Sequence, residues 1–429
     1  MLSNGTLLTS ANTGLEWRVE RLLGSGGQGE VYLVKHDTEQ RALKWYFPHF
    51  ATPTQRNNLS HLINRGAPSD RFIWPLDLVT APDGSTFGYL MPLLEPRFKS
   101  PIELMKGAIN PSFRAICTAC LELAHHYRQL HSQGWAYHDI SLSNFLFDPN
   151  TGEIRIVDND NVCTNGSSAP VMGTPYFMAP EIVRGEATPS AETDLYSLAV
   201  LLFHLLFVSH PLNGEQEYNI HCFDLPAMQK LYGTNPVFIF DPNNSSNRPV
   251  PGWHDNAIIY WRIYPQFIRD LFTRAFTEGL KPEGRVRESE WQRAMARLRD
   301  SIIFSADGSE NFYDPELLQQ GKPHICWHSR QPIPLPPRLK IEDRIIMLTH
   351  VTTLSEYHFT GILSFDRVLA RVVKHPTERN IWGLRNESGQ AWHFTDSNGM
   401  PQEVPHGKSV TLRNGLTINF GGVMGEIRN

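Results

Sequence analysis

A glycine-rich turn near the start of the chain constrains the fold more than any other feature of the sequence. The segment GSGGQGEV, residues 24–31, lies between two runs, WRVERLLG and VYLV, that alternate as β-strands do. Glycines at these spacings let backbone amides approach phosphate groups closely, because no Cβ atom intervenes. Strands on both flanks favour a hairpin that covers phosphates over a strand–turn–helix unit that binds a dinucleotide. Taken alone, the segment also fits a plain glycine-rich hairpin.

Polar residues suited to binding phosphates and metal follow in a fixed order. The next predicted strand carries Lys44, from which an ammonium group reaches phosphates that lie under the turn. Asp139 precedes Asn144 by five residues, and Asp158 follows the apolar residues at the end of a predicted hairpin over 145–157. A carboxylate accepts a hydroxyl proton, and oxygen atoms of Asn and Asp bind Mg²⁺. Each residue alone fits a turn, cap or surface role, but their order predicts a phosphoryl-transfer site.

Further motifs identify the family that the sequence resembles. They are GTPYFMAPE at residues 173–181, Asp194 at the start of an apolar run to 208, and Arg285 in GRVRESEW. Residues 17 to about 298 resemble the eukaryotic-type protein kinase superfamily, in one of its bacterial branches. The resemblance implies an α+β, bilobal protein-kinase fold, with a β-rich N-lobe over residues 1–92 and a helical C-lobe over 93–300.

The resemblance implies a role for each matching residue, with ATP and Mg²⁺ as cofactors. Asp139 is the catalytic base, Lys44 contacts the phosphates, and Asn144 and Asp158 bind the metal. The residues implied to hold the nucleotide are Gly24, Ser25, Gly26, Gly27, Gln28, Gly29, Val31, Lys44, Asn144 and Asp158. Supporting residues are Thr174 in the substrate loop, Asp194 beneath the catalytic loop, and an ion pair of Glu181 with Arg285.

The catalytic loop departs from the family pattern at two positions. It reads YHD, so His138 stands where the family carries an arginine that binds an activation-loop phosphate. We therefore expect activity that does not depend on phosphorylation of Thr164, Ser167 or Ser168. Ser141 replaces a lysine that contacts the γ-phosphate, so that contact is missing or supplied from elsewhere.

The family's carboxylate partner for Lys44 is also missing. The resemblance places a glutamate on the helix predicted over residues 54–65, but no acidic residue occurs between positions 39 and 70. Either an amide side chain substitutes for it, or Lys44 pairs only with the nucleotide and Asp158. The candidate amides are Gln55, Asn57 and Asn58. The metal motif reads DND at 158–160, and we expect Asp160 to be a solvated loop carboxylate, with a second metal contact as the alternative.

The motifs together favour a Ser/Thr protein kinase that lacks the catalytic-loop arginine, the type called non-RD. A nucleotide-binding pseudokinase scaffold with a partner-docking β domain is the first alternative, because of the missing glutamate. The second is a small-molecule phosphotransferase of the aminoglycoside or choline type, which shares the Asp-x4-Asn loop but usually lacks GTPYFMAPE. Protein substrates are the expected partners, and the resemblance suggests a cognate phosphatase as well.

Two segments follow the kinase-like part. Residues 301–340 resemble a degenerate zinc ribbon and end in the proline-rich joint QPIPLPPRLK. Only Cys326 and His328 remain there as soft ligands, and a structural zinc site needs four, so we expect no zinc. Residues 341–429 alternate short strands and turns and loosely resemble a forkhead-associated β-sandwich, in which Arg367 or Arg371 is a candidate phosphate contact.

Composition narrows the location and the partners. A net charge of −5 disfavours a nucleic-acid-binding surface, and the five scattered cysteines favour the reducing cytoplasm over a disulfide scaffold. The apolar run over 195–208 is too short to span a bilayer, so it predicts a buried helix and no membrane association. The histidines His125, His126 and His131 are expected to be surface or packing residues. The oligomeric state is left open by the sequence.

Overall fold

The computed structural model describes residues 2–81, 84–167, 172–365, 367–378, 381–396 and 398–429. These residues form two compact units. The first contains residues 1–111, 122–256 and 272–289, and the second contains 112–121, 257–271 and 290–429. Four helices have residues in both units. The domain limits predicted at 92, 300 and 340 remain predictions.

An antiparallel sheet of six strands begins the first unit. In space the strands follow the order β1-β2-β3-β4-β6-β5, and every neighbouring pair is antiparallel. Alternate residues of these strands bury one face, where Trp17, Val34 and Leu43 pack into a common core. The strands are β1 (Leu7–Thr9), β2 (Glu16–Ser25), β3 (Gly29–His36), β4 (Glu39–Tyr46), β5 (Asp77–Thr80) and β6 (Phe87–Met91). The turn predicted to join the last two strands includes Pro82 and Asp83, which lie outside the described residues.

The helix predicted over residues 54–65 begins one residue earlier than expected. It covers Pro53–Arg65 (α1). Thr52 caps it by accepting a hydrogen bond from the Gln55 amide at 3.1 Å, and Pro53 occupies the first helical position, where no amide hydrogen is needed. Gly66, with φ 78°, ends the helix. Leu59 and Leu62 are fully buried, which fixes the face that α1 turns toward the protein.

The remaining helices with residues in the first unit follow the sheet. They are α2 (Pro101–Met105), α3 (Phe113–Ser132), α4 (Pro180–Val183), α5 (Ala191–Phe207), α6 (Glu215–Tyr218), α7 (Leu225–Gln229), α8 (Asp255–Ile263), α9 (Gln266–Ala275) and α10 (Glu288–Asp300). Helix α5 agrees with the buried helix that the apolar run predicts. Ser190 and Thr193 form a capping box at its start, and nearly all its residues are buried.

Two short strand pairs place the loops between the helices. The pairs are β7 (Trp135–Ala136) with β10 (Cys163–Thr164), and β8 (Phe145–Phe147) with β9 (Ile154–Ile156). The second pair is the hairpin predicted over 145–157. Its strands are apolar and buried at Phe145, Phe147, Ile154 and Ile156, so the hairpin fixes the positions of the polar loops before and after it.

The second unit consists largely of β-structure. A hairpin of β11 (Ile302–Phe304) and β12 (Glu310–Phe312) precedes the short helix α11 (Pro315–Gln319), and α12 (Glu356–Thr360) lies between later strands. One sheet has the order β14-β13-β22-β21-β18-β19 and the other β15-β16-β17-β20. The strands are β13 (Arg338–Ile341), β14 (Arg344–Met347), β15 (Thr353–Ser355), β16 (Val368–Lys374), β17 (Trp382–Asn386), β18 (Trp392–Thr395), β19 (Pro401–Val404), β20 (Ser409–Thr411), β21 (Thr417–Asn419) and β22 (Met424–Arg428).

A single apolar core joins residues of both sheets in this unit, including Leu339, Ile346, Val372, Leu384 and Trp392. The small β domain predicted over residues 341–429 stays a prediction as a domain. The likeness to a forkhead-associated domain remains a prediction. In the described part of the chain, no helix combines the length and apolar character needed to cross a membrane.

Candidate active site

The glycine-rich turn joins β2 to β3. Gly24 pairs with Val31, Ser25 pairs with Glu30, and the Gly26 amide donates to the Gly29 carbonyl at 2.8 Å. A Cβ atom at Gly29 would lie 2.2 Å from the Trp45 carbonyl oxygen, so the close approach of β4 requires glycine there. At Gly24 and Gly27 a Cβ atom would meet nothing within 4 Å, so contacts within the chain do not account for glycine at those two positions.

Lys44 is buried and surrounded by acceptors. Val31 pairs with Lys44 across β3 and β4. The Lys44 Nζ atom donates to Asp160 Oδ2 at 2.9 Å and Oδ1 at 3.0 Å, to Asp158 Oδ1 at 3.2 Å, and to Gln28 Oε1 at 3.3 Å. Burial alone would lower the pKa of Lys44, but the charges of Asp160 and Asp158 outweigh burial and raise it. The group is therefore a fixed ammonium beneath the glycine-rich turn.

The expectation of a solvated Asp160 is wrong. Its side chain is fully buried, and in addition to Lys44 it accepts hydrogen bonds from the Tyr46 hydroxyl and from the Tyr89 hydroxyl at 3.2 Å. Burial would raise the pKa of Asp160, but the Lys44 charge and the Tyr46 hydrogen bond lower it, which keeps the carboxylate ionised. The physical reason for the correction is that three donors from strands β4 and β6 converge on this one carboxylate.

Helix α1 contacts the same segment through neutral amides. The Gln55 Nε2 atom donates to the Tyr46 hydroxyl at 3.0 Å and to the Asp160 carbonyl at 3.1 Å. Asn58 Nδ2 donates to the carbonyls of Asp160 and Val162, each at 3.1 Å. Of the three candidate substitutes for the missing glutamate, Gln55 and Asn58 thus bind the loop that holds Asp160, and Asn57 is exposed.

Asp139 and Asn144 are joined directly. Asn144 Nδ2 donates to Asp139 Oδ2 and to the Asp139 carbonyl, both at 2.8 Å. Asp139 Oδ1 accepts from the Thr174 hydroxyl at 2.5 Å. Both oxygens of the Asp139 carboxylate are therefore oriented by neighbouring donors, and Thr174 links the catalytic loop to the GTPYFMAPE segment.

Backbone contacts bring Asp158 to the same place. The Val157 amide donates to the Asn144 carbonyl at 3.0 Å, and the Tyr137 hydroxyl donates to the Val157 carbonyl. Asp158 follows with φ 56°, a left-handed conformation that non-glycine residues adopt rarely. Its side chain is 48% exposed although one oxygen contacts Lys44. The structure thus brings Lys44, Asp139, Asn144 and Asp158 together, as the motifs predict.

Negative charge exceeds positive charge at this point. The carboxylates of Asp158 and Asp160 both contact the single ammonium of Lys44, and the Asp139 carboxylate is close enough to Asp158 to act on its charge. Partial removal from water raises the pKa of Asp158, and the nearby Asp160 and Asp139 carboxylates raise it further against the opposing effect of Lys44. A bound dication would relieve this repulsion. Asn144 and Asp158 carry oxygen atoms of the kind that Mg²⁺ prefers, and Mg²⁺ needs few protein ligands when phosphates and water complete its shell.

No cluster of three or more His, Cys, Asp or Glu side chains suited to a metal ion occurs in the described residues. Asparagine is not one of these four residue types. The absence of such a cluster is therefore compatible with a metal held by Asn144 and Asp158 together with a phosphate ligand.

Asp194, at the start of α5, supports the catalytic loop. Its carboxylate accepts from the amides of Tyr137 at 2.6 Å and His138 at 3.0 Å. His131 Nε2 contacts it at 3.1 Å, and His131 Nδ1 contacts Glu288. His131 is thus a bridging group between two carboxylates, contrary to its expected surface or packing role. The predicted ion pair of Glu181 and Arg285 is present as well.

His131 makes stability depend on pH. Burial would lower its pKa, but the hydrogen bonds to Asp194 and Glu288 raise it to about 9, above the ordinary value of 6.5. A pKa that is higher in the folded state stabilises fully below pH 6.5, and the contribution is lost as pH rises through about 9. We expect urea unfolding to show His131→Gln clearly less stable than wild type near pH 6, with the gap narrowing above pH 9. A gap that stays constant or widens would contradict this account.

The four residues singled out by the motifs lie together in the structure, but sequence reasoning missed those that hold them. Tyr46, Tyr89 and Tyr137 carried no motif signal. Two facts together could have pointed to Asp160. The helix over 54–65 has no carboxylate, and the DND motif has one carboxylate more than the family pattern. A charge missing at one place and added at another indicates that the partner of Lys44 has moved along the chain.

Parts of this chain are similar to a known domain family and to several known proteins. Residues 103–258 match the protein kinase domain family. The DNA damage-responsive serine/threonine-protein kinase RqkA of Deinococcus radiodurans is 27% identical over 232 residues, which cover 51% of this chain and 33% of that protein. Protein kinase C delta type of Mus musculus is 36% identical over 92 residues, 20% of this chain and 13% of that protein. Protein kinase C-like 1 of Caenorhabditis elegans is 33% identical over 143 residues, 30% of this chain and 20% of that protein.

The matched segments span a third or less of the length of these relatives.

Proposed function

We propose that this chain, which contains a protein kinase domain, is an ATP- and Mg²⁺-dependent kinase that transfers the γ-phosphate to Ser or Thr of protein substrates. The observation that carries the proposal is the convergence of Lys44, Asp139, Asn144 and Asp158 beneath the glycine-rich turn. The name of the Deinococcus radiodurans relative supports Ser/Thr specificity. A cytoplasmic location and a cognate phosphatase partner belong to the same proposal and rest on the sequence alone.

Each residue has a defined task in this proposal. Asp139, whose oxygens are oriented by Asn144 and Thr174, accepts the proton of the substrate hydroxyl and aligns it for attack. Lys44 presents a fixed positive charge to the nucleotide phosphates. Asn144 and Asp158 would hold Mg²⁺, which when bound neutralises charge that develops on the phosphate oxygens.

The glycine-rich turn supports nucleotide binding. Because packing does not require glycine at positions 24 and 27, close approach of a ligand to the backbone explains those two residues. Ser25 and Gln28 lie in the same turn, and Gln28 also contacts Lys44. The turn and Lys44 are thus placed to act on one ligand.

The assay that tests the proposal measures transfer of labelled phosphate from ATP to a generic protein substrate. We expect incorporation into Ser or Thr that requires Mg²⁺, stops when EDTA is added, and resumes when Mg²⁺ is restored in excess. A parallel Asp139→Asn preparation reports any contaminating kinase. Equal labelling in the two preparations, or none in either, would leave the pseudokinase scaffold as the better account.

Activity is proposed not to depend on phosphorylation of the loop after Asp158. His138, at the position of the phosphate-binding arginine, is only 5% exposed, and neither ring nitrogen has a hydrogen-bond partner in the described residues. Burial lowers the pKa of His138, so the ring is neutral at physiological pH and cannot clamp a phosphate.

A variant in which Thr164, Ser167 and Ser168 are all replaced by alanine is therefore expected to retain most of the activity, measured as the initial rate per amount of folded protein. Ser168 itself lies outside the described residues. Loss of activity in this triple variant, with an unchanged circular dichroism spectrum, would contradict the proposal.

A further inference from the structure

We propose that Asp160 is the positioning residue for Lys44, in place of the helix carboxylate that the sequence lacks. The inference deepens the proposed function and rests on it, since it concerns how the phosphate-binding lysine is held. In this arrangement Asp158, the proposed metal ligand, directly precedes the three-residue turn Asn159–Asn161. Asp160, the partner of Lys44, lies within that turn.

The contacts of Asp160 suit a residue that holds Lys44 in place, and they do not suit a metal ligand. Both of its oxygens accept from Lys44, and each also accepts from a tyrosine hydroxyl, Oδ2 from Tyr46 and Oδ1 from Tyr89. The side chain is fully buried, whereas that of Asp158 is 48% exposed. Asp160 has its hydrogen-bonding capacity filled by protein donors, so a metal could reach it only by displacing them. The two carboxylates therefore have different roles: Asp160 fixes Lys44, and Asp158 stays partly exposed to solvent.

Helix α1 holds the turn without contributing charge. Gln55 and Asn58 donate to the Asp160 carbonyl, and Gln55 also donates to the Tyr46 hydroxyl that binds the Asp160 carboxylate. A neutral amide satisfies these acceptors, whereas a glutamate at either position would add a second buried negative charge beside Asp160. The absence of acidic residues from this helix is thus explained by the presence of Asp160.

The position of both carboxylates in one short segment determines how Lys44 would lose its partners. Asp158 and Asp160 are two residues apart, so any displacement of their turn removes both carboxylates from Lys44 together. Movement of this turn, and not the loss of a charge carried by α1, is the event that would disconnect Lys44. The amides of Gln55 and Asn58 are the contacts that oppose such movement.

The experiment removes the carboxylate of residue 160 and introduces one on helix α1. Asp160→Asn is expected to weaken binding of a fluorescent ATP analogue and to lower kcat/KM for ATP by about tenfold to hundredfold, the range for loss of a charged hydrogen-bonded pair. Adding Gln55→Glu should recover a large part of both, because residue 55 already contacts the hydroxyl that binds Asp160. The matched control adds Asn57→Glu, which places the same charge on the exposed face of the same helix and should recover nothing.

Several outcomes decide the matter. Wild-type affinity in Asp160→Asn, or equal recovery by the two glutamate variants, would overturn the inference. If Asp160→Asn alone does not fold, restored folding with Gln55→Glu but not with Asn57→Glu supports it, and equal behaviour of the two overturns it. Nucleotide binding is measured without turnover, so a wild-type protein that binds ATP but transfers no phosphate would refute the proposed function while leaving this comparison valid.

Discussion

Replacing Asp139 with asparagine is expected to lower kcat by about a hundredfold to ten-thousandfold, the usual contribution of a general base. The carboxylate oxygens accept from Asn144 and Thr174, and an amide would turn one acceptor into a donor that faces another donor group. The amide also cannot take up the proton of the substrate hydroxyl. Affinity for nucleotide should change little, because the Asp139 side chain contacts Asn144 and Thr174 of the protein's own loops and does not contact Lys44 within the described residues.

Steady-state kinetics at saturating ATP measures this effect. Asp37→Asn is a matched control, since it makes the same change at an aspartate whose side chain is 89% exposed and lies at a turn with φ 49°, a conformation that asparagine tolerates. The control should keep the wild-type kcat. An Asp139→Asn variant within a few-fold of wild type would show that Asp139 is not the base.

Replacing Lys44 with methionine is expected to destabilise the protein by about 3–5 kcal/mol, the usual result of removing one partner from a buried ion pair. Lys44 has a 6% exposed side chain, and its loss leaves Asp160 fully buried with a negative charge and no cation beside it. The double variant Lys44→Met with Asp160→Asn should regain much of that loss, because it buries no net charge. Neither variant should bind nucleotide tightly.

Urea unfolding of the two single variants, the double variant and wild type forms a double-mutant cycle for this pair. Lys106→Met is the control for a lysine outside the site, since Lys106 is exposed. If the single Lys44 variant and the double variant unfold at the same urea concentration, the Asp160 carboxylate is not held by Lys44 in the way that the structure indicates.

The order and spacing of motifs pointed to the central residues from sequence. The motif spacing singled out Lys44, Asp139, Asn144 and Asp158 as one predicted site, and the structure brings the four residues together. Helix α5 was predictable for a different reason: a run of apolar residues long enough for a helix has to be buried.

Asp160 could not be assigned in the same way. A DND sequence fits an exposed polar loop, and its burial arises from Tyr46 and Tyr89, which are distant along the chain and reach it from strands β4 and β6. His131 was missed for the same reason, since its two carboxylate partners, Asp194 and Glu288, follow it by 63 and 157 residues. Local patterns single out candidate residues for the chemistry, whereas tertiary packing specifies what holds them.

The most direct test of the central claim is a crystal structure of the protein with Mg²⁺ and a non-hydrolysable ATP analogue. We predict density for a triphosphate beneath residues 24–29, a metal ion bound by Asn144 and Asp158, and Lys44 in contact with both the phosphates and Asp160. A cleft that stays empty at saturating ligand, or a nucleotide bound away from these four side chains, would contradict the assignment of this site.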